Sequence, residues 1–200
     1  MKLYLAPGAC SLSEHIALHE AGLPFDRITV DLRAKRTQDG VDYNTINPKG
    51  YVPALELDDG EVLTEGPAIT QYLVDRYAPG TLAPLSGTIE RARVNSYLTY
   101  ISTELHKPFS RLFDPALTPD ARASTIAYLN RRFALIEQEL ADGRAFLTGS
   151  AFTLPDAYLF VIQRWGAFTG FDLSPFPNIV AHAERVMARP AVQLALDAEK

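Results

Sequence analysis

The sequence predicts two parts of different class: an α/β fold over residues 1–80 and an all-helical part over 88–200, joined by a linker over 81–87. Three observations carry this. Strand-like apolar runs alternate with helical periodicity up to residue 80. Asp58-Asp59-Gly60 separates two such runs, a strong hairpin signal. After Gly87 no strand-like pattern returns, and apolar residues recur at helical spacing instead.

Taken in order, Lys2–Ala6 is a short apolar strand. Ser11-Leu12-Ser13-Glu14 has the capping-box spacing, with Ser11 as N-cap, and an apolar helix follows through Ile16 and Leu18. It stops at Gly22-Leu23-Pro24, with glycine at C′ and proline just after. Phe25, Ile28, Val30 and Leu32 mark a second strand, and the polar stretch between Arg33 and Ile46 reads as a loop with an irregular short helix. Strands over Val52–Leu57 and Glu61–Leu63 form the hairpin. Glu65-Gly66-Pro67 opens a helix whose apolar face is Ile69, Tyr72, Leu73 and Tyr77. The order is β-α-β-α-β-β-α, so the first two strands are expected parallel and the last two antiparallel. Beyond the linker, helices are expected over 88–113, 119–141 and 154–168, with further pieces after Pro177 and Pro190. Thr153-Leu154-Pro155-Asp156 is a second capping box.

The composition, 47% hydrophobic and 22% charged, is that of a folded globular chain rather than a disordered one. No run approaches the roughly 20 apolar residues that cross a bilayer, and the start is too short for a secretory signal, so the expected compartment is the cytoplasm. A single cysteine precludes an internal disulfide. The net charge of −5 argues against nucleic acid, which needs clustered Lys and Arg. Residues 1–80 carry 7 Lys+Arg against 12 Asp+Glu, so an anionic ligand there needs local devices such as helix N-termini or single lysines.

Several residues could do chemistry. Cys10 lies in the turn before the first helix, where backbone N–H groups and the helix dipole favour a thiolate, its own or that of a bound thiol. A plain half-buried turn residue is the alternative. Ser11 could donate to the same sulfur, although the cap explains it. Pro53 cannot donate to a ladder, so Val52-Pro53 suits a cis bond that turns the Val52 backbone outward to pair with an extended peptide; an edge-strand trans proline is the alternative. Glu65 and the Gly66 N–H, at a helix start, could receive the amino and carboxylate groups of one amino acid; a plain helix-N-terminal acid is the alternative for Glu65.

On the helix from 88, Val94, Leu98, Ile101, Leu105, Phe109 and Leu112 form a core stripe. Asn95, Thr99, Ser102 or Thr103 and His106 keep the same spacing on another face, beside Lys107, and read as the wall of a polar cleft or as a polar surface stripe. Pro108 should bend the helix just past His106. His15 and His19 are i,i+4 but lack an evident third metal ligand. With His182 they read as structural or surface residues. Trp165, Phe168 and Phe171 read as helix-packing aromatics.

These motifs together resemble the bacterial cytosolic glutathione S-transferases of the beta class. The resemblance spans essentially the whole chain. It is carried by Met1-Lys2-Leu3-Tyr4, Pro7–Leu12, Asn47–Leu55 with Val52-Pro53, Leu63–Ile69, Leu105-His106-Lys107-Pro108 and Thr153–Asp156. It implies a thioredoxin-like N-terminal domain with a cis Pro53, an all-helical second domain with the electrophile site at the interface, and a homodimer. Glutathione would be the co-substrate, with no metal, no nucleic acid and no membrane partner. Cys10 would face the glutathione sulfur, Lys35 the glycyl carboxylate, and Val52 the cysteinyl backbone. Glu65 and Gly66 would hold the γ-glutamyl end. His106 and Lys107 would approach the sulfur, and Thr99 and Thr103 join the glutathione-binding set, position 99 reaching the neighbouring subunit. Gly66 stands where serine is frequent and Thr99 where asparagine is common.

The implied reaction is attack of glutathione thiolate on an apolar electrophile, a detoxification chemistry, with Cys10 and His106 as catalytic residues. Thiol–disulfide exchange through Cys10 is the alternative enzyme reading, and a non-catalytic binding or regulatory module is the alternative of another class.

Overall fold

The computed structural model of the chain describes residues 1–200, which divide into two compact units, Met1–Ser86 with Arg189–Lys200, and Gly87–Ala188. The first unit is built on a five-stranded sheet: β1 (Lys2–Leu5), β2 (Asp26–Asp31), β3 (Arg36–Thr37), β4 (Ala54–Glu56) and β5 (Val62–Thr64), in the order β3-β2-β1-β4-β5. β1 and β2 run parallel, with Lys2 opposite Asp26, while β4 lies antiparallel to both β1 and β5. A helix must carry the chain between parallel neighbours, and α1 (Leu12–Glu20) does so. This is the thioredoxin-like arrangement.

Alternation along β1 sets the two layers. Leu3 and Leu5 face a core shared with Leu18 of α1, Leu55 of β4, and Ile69 and Leu73 of α2 (Gly66–Tyr77). Tyr4 and Ala6 face the other way, with Val30, Tyr43, Val52 and Ala54. Each fully buried Leu or Ile contributes roughly 1.5–3 kcal/mol relative to exposure, so this pattern fixes the register of β1. In α2 the apolar face is Ile69, Leu73 and Val74. Tyr72 and Tyr77, expected in that face, instead meet edge to face at 6.1 Å, with Tyr77 exposed.

Four details differ from the sequence reading. The segment between Arg33 and Ile46 holds the two-residue strand β3 and a 3₁₀ turn at Tyr43–Thr45, which Asp42 caps through Asn44 N–H. The hairpin strands are shorter than expected, since Val52 and Pro53 precede β4. Ser11 is not a cap: its backbone is helical (φ −56°, ψ −15°) and its hydroxyl bridges the Ala6 N–H and C=O at 3.2 and 3.4 Å. The chain already turns at Ala9 and Cys10, whose carbonyls accept from Leu12 and Ser13. Fourth, α8 (Pro190–Ala198) packs on α1 and groups with the first unit, tied there by Arg189 to Glu20 at 2.5 and 2.8 Å.

The second unit contains α3 (Ile89–Tyr100), α4 (Lys107–Ser110), α5 (Pro119–Leu140), α6 (Leu154–Thr169) and α7 (Pro177–Met187). Between α3 and α4 the run Ile101–His106 is π-helical, with Lys107 N–H donating to Ser102 C=O. Pro108 has no N–H to offer Glu104, and the ladder adjusts a turn earlier than the expected bend. The core stripe from Val94 to Leu112 is buried throughout. Trp165 and Phe171 pack in the aromatic core with Phe109. Phe168 does not; it is 65% exposed, one position off the buried face.

The capping box at α6 is complete, and the structure extends it. Asp156 accepts from Thr153 N–H and Oγ1, both at 2.8 Å, from Leu147 N–H at 2.8 Å and from His182 Nε2 at 2.9 Å. Asp156 and His182 are both fully buried. No helix is long and apolar enough to cross a membrane.

Candidate active site

Within the first unit the expected residues gather around the Val52–Pro53 peptide, which is cis. Tyr51 O, just before it, is held by Asn47 Nδ2 at 2.7 Å and by the hydroxyl of buried Tyr43 at 3.1 Å. Burial pushes the Tyr43 phenol up to about 12, so it stays a donor. The Cys10 thiol donates to Val52 O at 3.3 Å. The chain's one thiol, the start of α1 and the Val52 carbonyl therefore meet at one place.

Glu65 adopts φ 71°, ψ 109° at the N-cap of α2, and its side chain does not cap. Instead Glu65 Oε1 accepts from Lys49 Nζ and from Tyr51 Oη, each at 2.7 Å. Lys49 also donates to Thr64 Oγ1 at 2.9 Å. A carboxylate aimed in this way can accept an ammonium group while the Gly66 N–H, without an intrahelical acceptor, can meet a carboxylate. Lys35, also in the left-handed region (φ 55°), donates from Nζ to Gly50 O at 2.5 Å. Position 50 favours glycine, with φ 70° and Asn44 Oδ1 3.1 Å from where a Cβ would stand.

Sequence reasoning missed Lys49 and Tyr51. Their signal was present in Asn47–Leu55, where they flank Gly50, but nothing in the spacing says they converge on a carboxylate 14 and 16 residues later. Tyr4 is buried and donates to Glu56 Oε2 at 2.6 Å. Burial, then that carboxylate, raises its proton affinity strongly. It acts as packing and strand pairing.

Within the helical unit, His106 Nδ1 lies 2.5 Å from the Tyr158 hydroxyl of α6, and its ring meets Trp165 edge-on at 5.0 Å. A neutral imidazole accepting from Tyr158 at Nδ1 presents Nε2–H as a donor. Tyr158 was not singled out by the sequence; only its place two residues past the α6 capping box pointed to it. Thr99 and Thr103 are exposed and fold their hydroxyls back onto Asn95 O and Thr99 O, at 2.9 and 3.0 Å. With Asn95, Ser96, Tyr100 and Glu104 they line an open groove of about 450 Å³. Lys107 is exposed beside Pro108 and Thr103 along a second groove of about 440 Å³.

His15 and His19 face each other, Nε2 to Nε2, at 3.3 Å, with His15 Nδ1 on Glu199 at 2.8 Å. No group of three or more His, Cys, Asp or Glu side chains comes together that could hold a metal ion.

This geometry defines a thiol-handling protein of thioredoxin-like build with a helical second unit, and the comparisons with known proteins name the family. Residues 9–76 match the glutathione S-transferase N-terminal domain and residues 101–190 its C-terminal domain. The chain is 43% identical to glutathione S-transferase GstA of Escherichia coli O157:H7, over 100% of this chain and 98% of that protein. The solved ternary complex of BphK, a bacterial glutathione S-transferase, is 49% identical with a TM-score of 0.96, covering 100% and 99% of the two chains. Two sphingomonad structures, one complexed with glutathione and one, from Sphingomonas chungbukensis, described as beta class, are each 44% identical with TM-scores of 0.94 over 100% and 98%. The chain belongs to the glutathione S-transferase family.

Proposed function

We propose that this chain binds glutathione and transfers its sulfur to an electrophilic carbon of an apolar substrate. The observation that carries the proposal is the meeting of Cys10 Sγ with Val52 O at 3.3 Å, beside a cis peptide and the start of α1. An extended tripeptide paired with the Val52 backbone sets its cysteinyl sulfur close to that helix start and to Cys10. Glu65 takes the ammonium and the Gly66 N–H the carboxylate of the γ-glutamyl end. Lys35 exchanges Gly50 O for the glycyl carboxylate.

A free thiol is mostly protonated at neutral pH. Lowering its pKa by ~2 units needs about 2.7 kcal/mol of preference for the thiolate, within the range of two charge-assisted hydrogen bonds. Cys10 S–H is one donor in this reading, and a backbone N–H at the start of α1 supplies another; within the helical unit the candidate donors are His106 Nε2–H, the Lys107 ammonium, Thr99 and Thr103. The thiolate then forms the C–S bond as the leaving group departs with the electron pair of the bond it held. A homodimer, read as twice the 22.1 kDa chain mass by light scattering, and a cytoplasmic location belong to the same proposal.

The site is tested at Glu65, away from the sulfur. Glu65→Gln keeps the shape but loses the charge that Lys49 and Tyr51 orient. KM for glutathione should rise roughly 10–100-fold, with kcat within a few-fold. An unchanged KM would remove Glu65 from the binding set.

Thiol–disulfide exchange stays as the second reading because Cys10 is half-buried rather than sealed, at a helix start.

A further inference from the structure

Glu14 is an acid that the proposed reaction does not use, and its surroundings are unusual. It lies on α1, buried at 2% exposure, against the first turn of α2. Its Oε1 accepts from Ser13 Oγ at 2.7 Å; its Oε2, also buried, has no hydrogen-bond partner. A Cβ at position 66 would stand 2.5 Å from Oε1 and 3.1 Å from Cδ. The carboxyl therefore occupies the room that a side chain at 66 would need, and such a side chain would have to displace it.

Resting on the proposed docking of the γ-glutamyl end at Glu65 and Gly66, we infer that Glu14 is a positioning residue for that end, excluding a side chain at 66 and admitting the ligand's carboxylate only when it carries a proton. The physical reason is competition for one dipole. The N-terminus of α2 offers positive potential to a single negative charge. An ionised Glu14 beneath Gly66 spends that potential and repels a second anion; a neutral Glu14 leaves it to the ligand.

The groups facing Glu14 divide over its proton: burial, the largest influence, and the Glu199 charge favour the acid and prevail over the Ser13 hydrogen bond, which favours the carboxylate. On α1 they are Ser13, which donates to it, and His15, which is turned to Glu199 at 2.8 Å. Beyond the end of α8, Glu199 adds a like charge and is itself held by His15 and by Gly8 N–H at 3.1 Å. From the α2 start, Glu65 is committed to Lys49 and Tyr51. Burial first, then the Glu199 charge, lifts the Glu14 carboxyl to about 7. Because the folded value lies above the unfolded one, the contribution to stability is complete below the ordinary Glu range, about 4.3, and is lost as pH rises through 7. Ligand binding follows the same sign, with protons taken up when the anion docks.

The test measures the affinity of S-methylglutathione, which has no thiol to titrate, by calorimetry from pH 6 to pH 8 in two buffers of different ionisation enthalpy. For the native chain the dissociation constant should rise on the order of tenfold across that window, with proton uptake on binding near pH 7. In Glu14→Gln both should vanish, leaving tight, pH-independent binding. Gly66→Ser should weaken binding in the native background and recover when combined with Glu14→Ala. Binding to the native chain without proton uptake, or uptake that persists in Glu14→Gln, overturns the role of Glu14 alone. No binding by either chain at any pH overturns the glutathione reading with it. The native-chain uptake needs no variant, so a Glu14→Gln chain that failed to fold would leave the inference testable.

Discussion

Asp156→Ala should cost the chain about 4 kcal/mol of stability, the largest effect of any single substitution considered. Asp156 is fully buried and ties the Leu147 N–H, the Thr153 N–H and hydroxyl, and His182 Nε2 to the start of α6. Alanine removes one acceptor and strands several buried donors. Each stranded donor carries a desolvation cost of about 1–3 kcal/mol, and several lose their partner together. Against a total stability of roughly 5–15 kcal/mol this decides whether the helical unit folds at 37 °C. Asp156→Asn keeps an acceptor oxygen and should lose less than half as much. Urea unfolding followed by far-UV dichroism reads both values, and a loss below about 1 kcal/mol for the alanine variant would show that the network adds little to the cap alone.

Cys10→Ala should abolish glutathione-dependent disulfide exchange while leaving conjugation within about tenfold of the native rate. Exchange needs the Cys10 thiolate to attack a mixed disulfide. A Cys10–glutathione disulfide forms, the other thiolate leaves, and a second glutathione thiolate then releases oxidised glutathione. With one cysteine in the chain no other sulfur can take that part. In the proposed conjugation the ligand's sulfur is the nucleophile and Cys10 only a hydrogen-bond donor to it, its S–H resting here on Val52 O at 3.3 Å. A hydroxyethyl disulfide assay beside an aromatic-halide assay separates the two. Loss of both activities in a folded variant would make Cys10 part of the conjugation machinery itself.

How far the sequence could be read depends on the range of the forces involved. The strand order and the hairpin were legible because alternation and Asp-Gly turns are local. Ser11–Glu14 and Thr153–Asp156 show where locality fails. Both have capping-box spacing, yet only the second is a cap. Ser11 is drawn instead to the Ala6 backbone, and Glu14 sits in the interior against Gly66. Pro108 announced a disturbed helix, but its conversion into a π-helical turn over Ile101–His106 depends on how the buried stripe stays in register around it.

The candidate site divides in the same way. Pro53 stood out because a proline breaks the rule for a strand, and Cys10 and Glu65 because each lies at a helix start, where a thiolate or a ligand's charged groups are favoured. Lys49 and Tyr51 did not, since a loop lysine and a loop tyrosine gain meaning only once the β4–β5 hairpin returns Glu65 to them. Tyr158 was equally silent, because its contact with His106 spans 52 residues. The helical pattern after Pro190 places the C-terminal helix in the helical half. Its packing on α1 and the Arg189–Glu20 pair are long-range facts that composition does not carry.

The central claim, a bound thiol used as nucleophile, is tested most directly by the initial rate of conjugation of an aromatic halide with glutathione varied from none to saturating. The account predicts a rate that saturates with glutathione and exceeds the uncatalysed reaction at every concentration. A rate that stays on the uncatalysed line would contradict it.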